Sequence, residues 1–300
     1  MTVDRIHRFM TPEGTFRFLA LRATQAVQTA VGFANASPEV ATLLGDLLMG
    51  GALLEHAQGP AERFQAQLEH HGGAGVLVVD VRPGPLVRAR AQFPQGRPGL
   101  SAFAEPAMVH VTRQPELGPG RFGSRYQSSA PVQGSRIDSA FQQYVLESEQ
   151  VLTVFALATV LGDEGGSAET AAGRREGPTV LRAGGLVVQA LPGFEREHLL
   201  GVTQCLEAAP FEDLVRGGMD PLEAAAQMFA PLKVRKVGED PFEYRCTCSR
   251  EAAIRMVGLL EADERRHLEQ GGAESVTCEF CGTTYAVALT DLDALPTAAE

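Results

Sequence analysis

A chain of 300 residues, 44% of them hydrophobic, can bury more than one core, which excludes a disordered chain and a small disulfide scaffold. Its 26 basic and 37 acidic side chains leave a formal net charge of -11, a balance that favours solubility and works against a broad nucleic-acid footprint. Met1-Thr-Val-Asp-Arg-Ile-His lacks the apolar stretch of a secretory signal, and no run reads as long and apolar enough to cross a bilayer. A cytoplasmic address with no membrane partner is the expectation.

Residues 14–31 set Phe16, Leu19, Ala20, Ala23, Val27, Ala30 and Val31 at helical spacing and predict an amphipathic helix. A second helix is expected from Ser37-Pro38, serine capping free amides and proline suiting the first helical position, with Leu43, Leu44, Leu47, Leu48 and Leu54 as its packing stripe. Phe64, Ala66 and Leu68 then alternate with polar residues. Val76–Val79 follows a turn at 71–75, and Leu86 to Arg90 and Met108–Val111 predict further strands of an antiparallel or mixed sheet. Residues 115–135 read as turn-rich, Ile137–Glu149 as a helix and Leu152–Leu157 as a buried strand. Residues 163–179 lack an apolar period and read as an exposed loop before strand-like Val180–Arg182 and Leu186–Val188.

From Pro192 the pattern is helical again, through Phe194–Leu206, Pro210–Val215 and a segment opened by the capping signature Asp220-Pro221-Leu222-Glu223. Its apolar residues need a partner surface. The fold class is α+β: an N-terminal β-sheet domain packed with helices (1–191), a helical connector (192–232) and a small C-terminal zinc-binding domain with four cysteine ligands (233–300). In that last domain Ser249 is expected to cap a helix, Glu261–Gln270 to form a second, and Tyr285, Val287 and Leu289 to alternate along a terminal strand.

Cys246-Thr-Cys248 and Cys278-Glu-Phe-Cys281 are two close pairs separated by a folded-length insert, the pattern of one tetrahedral Zn2+ site per chain. Four thiolates leave no open coordination position, which argues against hydrolytic zinc and leaves an inert staple or a redox switch. Cysteines within each pair are close enough to couple on oxidation. Arg245 and Arg250 either favour thiolate character or are ordinary surface charge. Cys205, within the connector, reads as a buried, unreactive cysteine.

The chain resembles the redox-regulated 33-kDa heat-shock protein family. The resemblance is carried by Phe242-Glu-Tyr-Arg-Cys246-Thr-Cys248-Ser-Arg-Glu251 and Val276-Thr-Cys278-Glu-Phe-Cys281. It continues in Tyr126-Gln127, Gly134, Tyr144, Ser148-Glu149-Gln150, Ala183-Gly184-Gly185-Leu186, Leu191-Pro192-Gly193, Asp4-Arg-Ile and Leu43-Leu44-Gly45. Nearly the whole chain is covered, although the 163–179 loop is longer than a compact member leads one to expect.

The resemblance implies a redox-regulated, ATP-independent chaperone holdase, inactive while Cys246, Cys248, Cys278 and Cys281 bind zinc. Oxidation would form the Cys246–Cys248 and Cys278–Cys281 disulfides, release zinc, disorder the C-terminal region and expose apolar surface to unfolding client proteins. A homodimer in the oxidised state and transfer of clients to ATP-dependent refolding chaperones are further implications. Phe194, Leu199, Leu200, Leu206, Leu214, Leu222, Met228 and Phe229 are the candidates for that client or interdomain surface.

Two other functions compete with this one. A nucleic-acid-binding zinc ribbon would need a basic face, but Arg250, Arg255, Arg265 and Arg266 are interleaved with Glu251, Glu261, Asp263, Glu264 and Glu269. An enzyme could use Glu55-His56 or Glu69-His70-His71. Their spacing defines no nucleophile, oxyanion pocket or open metal site, so no catalytic residue is assigned and these are read as surface and helix-end residues.

Overall fold

The computed structural model describes residues 3–59, 61–70, 75–84, 86–93, 107–118, 121–133, 136–162, 177–261 and 272–293. The chain divides into two compact units, Met1–Arg245 and Cys246–Glu300. The first opens with β1 (Arg5–Met10), β2 (Phe16–Arg22), α1 (Thr24–Ala34) and α2 (Pro38–Gln58). Strands β3 (Ala61–His70), β4 (Val76–Arg82), β5 (Leu86–Gln92), β6 (Ala107–Gly118), β7 (Arg121–Phe122) and β8 (Tyr126–Val132) follow. Then come α3 (Ile137–Tyr144), β9 (Thr153–Leu161), β10 (Val180–Ala190), α4 (Arg196–Ala208), α5 (Phe211–Arg216), α6 (Pro221–Met228), β11 (Arg235–Pro241) and β12 (Glu243–Tyr244).

Two sheets organise this unit. The five-stranded one, in the order β11-β1-β2-β10-β9, is antiparallel throughout. The seven-stranded one, β12-β5-β4-β3-β6-β7 with β8 also on β6, is antiparallel except for the short β12–β5 pair. Helix α2 packs against strands of both. It is apolar around its circumference, as a helix buried on all sides must be. Ser37 caps it, accepting from the Val40 N–H, with Pro38 in its first turn. By length and composition α2 is able to cross a membrane, which corrects the expectation that no run qualifies; 72% of its most apolar window is buried inside the fold.

The predicted helix over 14–31 is a strand followed by a helix. Phe16, Phe18 and Ala20 of β2 join one hydrophobic cluster, while Leu19 and Leu21 join the other. A strand buried on both faces has no polar alternation, so its apolar run also satisfies helical spacing. The stretch read as turn-rich contains β8, whose polar sequence Tyr126-Gln-Ser-Ser buries little; Ala130 and Val132 alone of its residues are buried. The two strand-like segments after residue 179 form the single strand β10. Most of the expected turn at 71–75 (71–74), most of the 163–179 loop (163–176) and the 262–270 part of the expected second helix lie outside the described residues.

Helices α4–α6 lie against one face of the five-stranded sheet. Phe16, Phe18, Ala20, Leu186 and Val188 of the sheet cluster with Val202, Phe211, Val215, Ala225, Met228 and Phe229 of the helices. A side chain at Gly184 would stand 2.2 Å from the Pro221 Cβ, so only glycine in β10 lets the start of α6 approach this closely. Asp220 caps α6 through the Leu222 N–H at 2.9 Å and pairs with Arg22 of β2 at 3.0 Å. The reciprocal box expected here occurs instead at α4, between Glu195 and His198. Arg182 Nε donates to the Val215 carbonyl at 2.9 Å, and Arg136 bonds to Glu212.

Residues 233–245, placed at the head of the cysteine domain by the sequence pattern, pair with the sheets of the first unit. β11 lies along β1, Phe242 and Tyr244 enter the main core, and the Arg245 N–H donates to the Val87 carbonyl at 2.9 Å.

Asp4 anchors the other end of this arrangement. Its carboxylate accepts from the Ala26 N–H at 2.8 Å, and burial, opposed by the N–H groups of Ala26, Gln25 and Thr24 and by Arg22, pushes its pKa up from 3.8 to about 6. Between those values the folded chain holds a proton that the unfolded chain has released, so this contribution to stability is full below the lower value and is lost as pH rises through the upper one. Asp4→Asn should therefore flatten the fall in denaturation midpoint between about pH 4 and pH 7.

Candidate metal centre

The second unit contains α7 (Arg250–Gly258), the hairpin β13 (Ala273–Thr277) and β14 (Thr284–Ala288), and α8 (Leu289–Asp293). Leu289 thus opens a helix rather than extending the strand. Ser249 caps α7 by accepting from the Ala252 N–H at 3.2 Å, which fixes the chain direction immediately after Cys248. Cys278 and Cys281 lie in the turn of the hairpin. The Cys278 N–H donates to the Thr283 carbonyl and the Gly282 N–H to the Cys278 carbonyl, both at 2.8 Å. Gly282 has φ 71°, the left-handed conformation such a tight return needs.

The four sulfurs converge. Cys246 and Cys278 are 3.5 Å apart, Cys248 and Cys281 are 3.5 Å apart, and all four lie within 4.8 Å of one another. Four sulfurs about 2.3 Å from a tetrahedral zinc stand about 3.8 Å from each other, so this donor set fits such an ion. Among the described residues no carboxylate or histidine joins the group, which makes it a four-thiolate, soft-ligand set. All five cysteines are free of disulfides.

Burial pushes the thiols of Cys246, Cys248 and Cys278 up. Burial also acts upward on Cys281, but hydrogen bonds from the Thr283 side chain and backbone, and then from Cys248 and Cys246, bring it down to about 7. A bound divalent cation would invert this preference and hold all four as thiolates. Tyr285, noticed in the sequence only as a strand residue, places its hydroxyl 3.2 Å from Cys248, and the Thr283 hydroxyl is 3.2 Å from Cys281. Strand alternation puts Tyr285 on the face of Val287; nothing in the spacing shows that it reaches the first cysteine pair.

Other candidates fall elsewhere. Arg250 pairs with Asp291 at 3.0 Å and Arg245 with Glu243 at 3.1 Å, so both guanidinium groups serve carboxylates. Cys205 is buried in the cluster under α4, where burial pushes its thiol up. Leu222, Met228 and Phe229 are buried against the sheet, and Leu199, Leu206 and Leu214 pack partly against the same cluster. Phe194 and Leu200 remain 40% and 49% exposed. Glu55 is buried rather than on the surface, 2.8 Å from His56, while Glu69 stands 3.7 Å from His110. His71 lies outside the described residues.

A two-sheet body with one sheet face under helices, followed by a small unit whose sulfurs form a closed metal-ligand set, defines an α+β protein with a thiolate metal module. The Hsp33 protein family model matches residues 4–288, and the chain belongs to that family. The 33 kDa chaperonin of Shouchella clausii is 26% identical over 308 residues, covering 99% of this chain and 98% of that protein. The 33 kDa chaperonin of Syntrophotalea carbinolica is 27% identical, with 97% and 99% covered. The crystal structure of the 33 kDa chaperonin from Thermotoga maritima shares the fold, with a TM-score of 0.76, 21% identity and 97% of each chain covered. As a member of that family the protein is a redox-regulated, non-catalytic holdase chaperone, with a cysteine cluster able to coordinate metal.

Proposed function

We propose that Cys246, Cys248, Cys278 and Cys281 hold one zinc ion in the reduced chain, and that their oxidation to Cys246–Cys248 and Cys278–Cys281 disulfides switches the chaperone on. The observation that carries this reading is the convergence of four sulfurs in a unit where, besides Cys281, only Ala253, Val257 and Val287 are buried among the described apolar residues. Bound zinc would supply the crosslink and positive charge that so small a core lacks, with an apparent free energy of about 10–16 kcal/mol for comparable modules.

Each disulfide removes two ligands and two electrons, so the oxidised sulfurs no longer hold the metal and the unit loses its clamp. The connector, 192–232, then loosens from the five-stranded sheet, and Phe16, Phe18, Leu186 and Val188 with the apolar faces of α4–α6 receive segments of unfolding clients. In functional terms the division is a core at 1–191, the connector, and a switch region from 233. The active state is a homodimer in the cytoplasm that releases clients to ATP-dependent refolding chaperones.

A peroxide titration under mildly unfolding heat tests this reading. Zinc, free thiols and suppression of client aggregation are followed together. Four thiols and about one zinc per chain should disappear as holdase activity rises, reversibly on reduction and unchanged by Cys205→Ala. Activity that stays constant while zinc leaves would reject the coupling.

A further inference from the structure

Tyr285 lies on β14 opposite Val276 of β13, with its ring beside the small core of Ala253, Val257 and Val287. It belongs to the hairpin that carries the second cysteine pair, yet its hydroxyl reaches a sulfur of the first pair, Cys248, at 3.2 Å. Backbone N–H groups serve other sulfurs: that of Cys248 bonds to Cys246, and those of Phe280 and Cys281 bond to Cys278. At Cys248 the contact comes from a side chain.

We propose that Tyr285 is a positioning residue of the redox centre, its O–H···S bond setting how fast Cys248 is oxidised. This rests on the reading of the four cysteines as an oxidisable zinc centre. In the step concerned, a lone pair on the Cys248 sulfur attacks hydrogen peroxide, the S–O bond forms as O–O breaks, and the departing hydroxide takes a proton to become water. The Cys246 sulfur then displaces the sulfenic oxygen, which leaves as a second water. Two thiolates, two protons from solvent and one peroxide give one disulfide and two waters. The hydroxyl bonds to the sulfur while it is most negative and loses strength as charge moves to the leaving oxygen, so it retards the attack. It also ties the two cysteine pairs together across the centre, as outer hydrogen bonds do around metal ligands.

Tyr285→Phe keeps the ring and removes the bond. The zinc-loaded full-length variant should release zinc to a colorimetric chelator about threefold or more faster than wild type in the same peroxide. Differential alkylation at low oxidant should show the gain at Cys248, with zinc affinity in competition with a chelator unchanged within about threefold. In the cobalt-substituted proteins, the thiolate-to-cobalt charge-transfer band should move to longer wavelength in the variant. Equal release rates with an unmoved band, or faster release explained by weaker zinc binding with no change at Cys248, would overturn the assignment. Wild-type protein that keeps its zinc in peroxide would instead overturn the underlying redox reading.

Discussion

Replacing Cys278 with serine should unfold the Cys246–Glu300 unit while the two-sheet body keeps its structure. Among its described residues the unit has little else to hold it: α7 spans nine residues, the hairpin strands five each, and besides Cys281 the buried apolar residues are Ala253, Val257 and Val287. Helices shorter than about 12 residues are marginal alone in water, and so is an isolated two-stranded hairpin. Serine is a poor zinc ligand, so the variant forfeits most of a binding free energy on the order of 10 kcal/mol. Zinc content should fall well below one per chain, and amide protection should vanish from Arg250–Gly258 and Thr284–Ala288. Protection across β3 and β6 should survive, because that sheet belongs to a separate core. Persistence of slow exchange in α7 without metal would show that the small core suffices.

Phe229→Ala should cost about 3–5 kcal/mol, the range for removing a buried phenylalanine side chain. Phe229 is 1% exposed and stands 4.4 Å, centroid to centroid, from Phe18 of β2, which makes it the aromatic peg between connector and sheet. Beside the apolar cluster of Val202, Phe211, Val215, Ala225 and Met228, the polar attachments, Arg22 to Asp220, Arg182 to the Val215 carbonyl and Arg136 to Glu212, are single contacts. Their worth is about 1 kcal/mol each. Loss of the peg should therefore release α6 first. The variant should bind unfolding clients with its thiols still reduced and its zinc still bound. Phe64→Leu, a cavity placed in the core of the seven-stranded sheet, is the control: it should lower the melting temperature without oxidant-free client binding. Equal activity in both variants would mean that general instability, not uncovering of this sheet face, creates the client surface.

The metal centre was the most legible part of the sequence because its chemistry is local to the residue type. Two close cysteine pairs have few other uses in a reducing compartment, and the four sulfurs meet as the spacing required. Helix α2 was legible through Ser37-Pro38, which fix its start independently of packing. Strand β2 was not, because burial on both faces erased the alternation that marks a strand. Strand β11 was missed for the opposite reason. It carries almost no buried side chain and is held by ladder bonds and by surface pairs such as Arg5 with Glu239 and Arg8 with Asp240. Pairing of that kind leaves no apolar signature, and so the sequence pattern did not show that Arg235–Pro241 runs along β1. Tyr285 is a third case: a one-atom contact with a sulfur is decided by tertiary placement that no periodicity encodes.

Under the proposed switch, oxidising the cysteine unit uncovers the sheet face beneath the connector. Amide hydrogen exchange, read by mass spectrometry at points along one peroxide titration, tests it most directly. Arg196–Ala208 and Pro221–Met228 should lose protection in step with zinc release and the onset of holdase activity, while α2 and β3 remain protected. Full holdase activity with the connector helices still protected would contradict it.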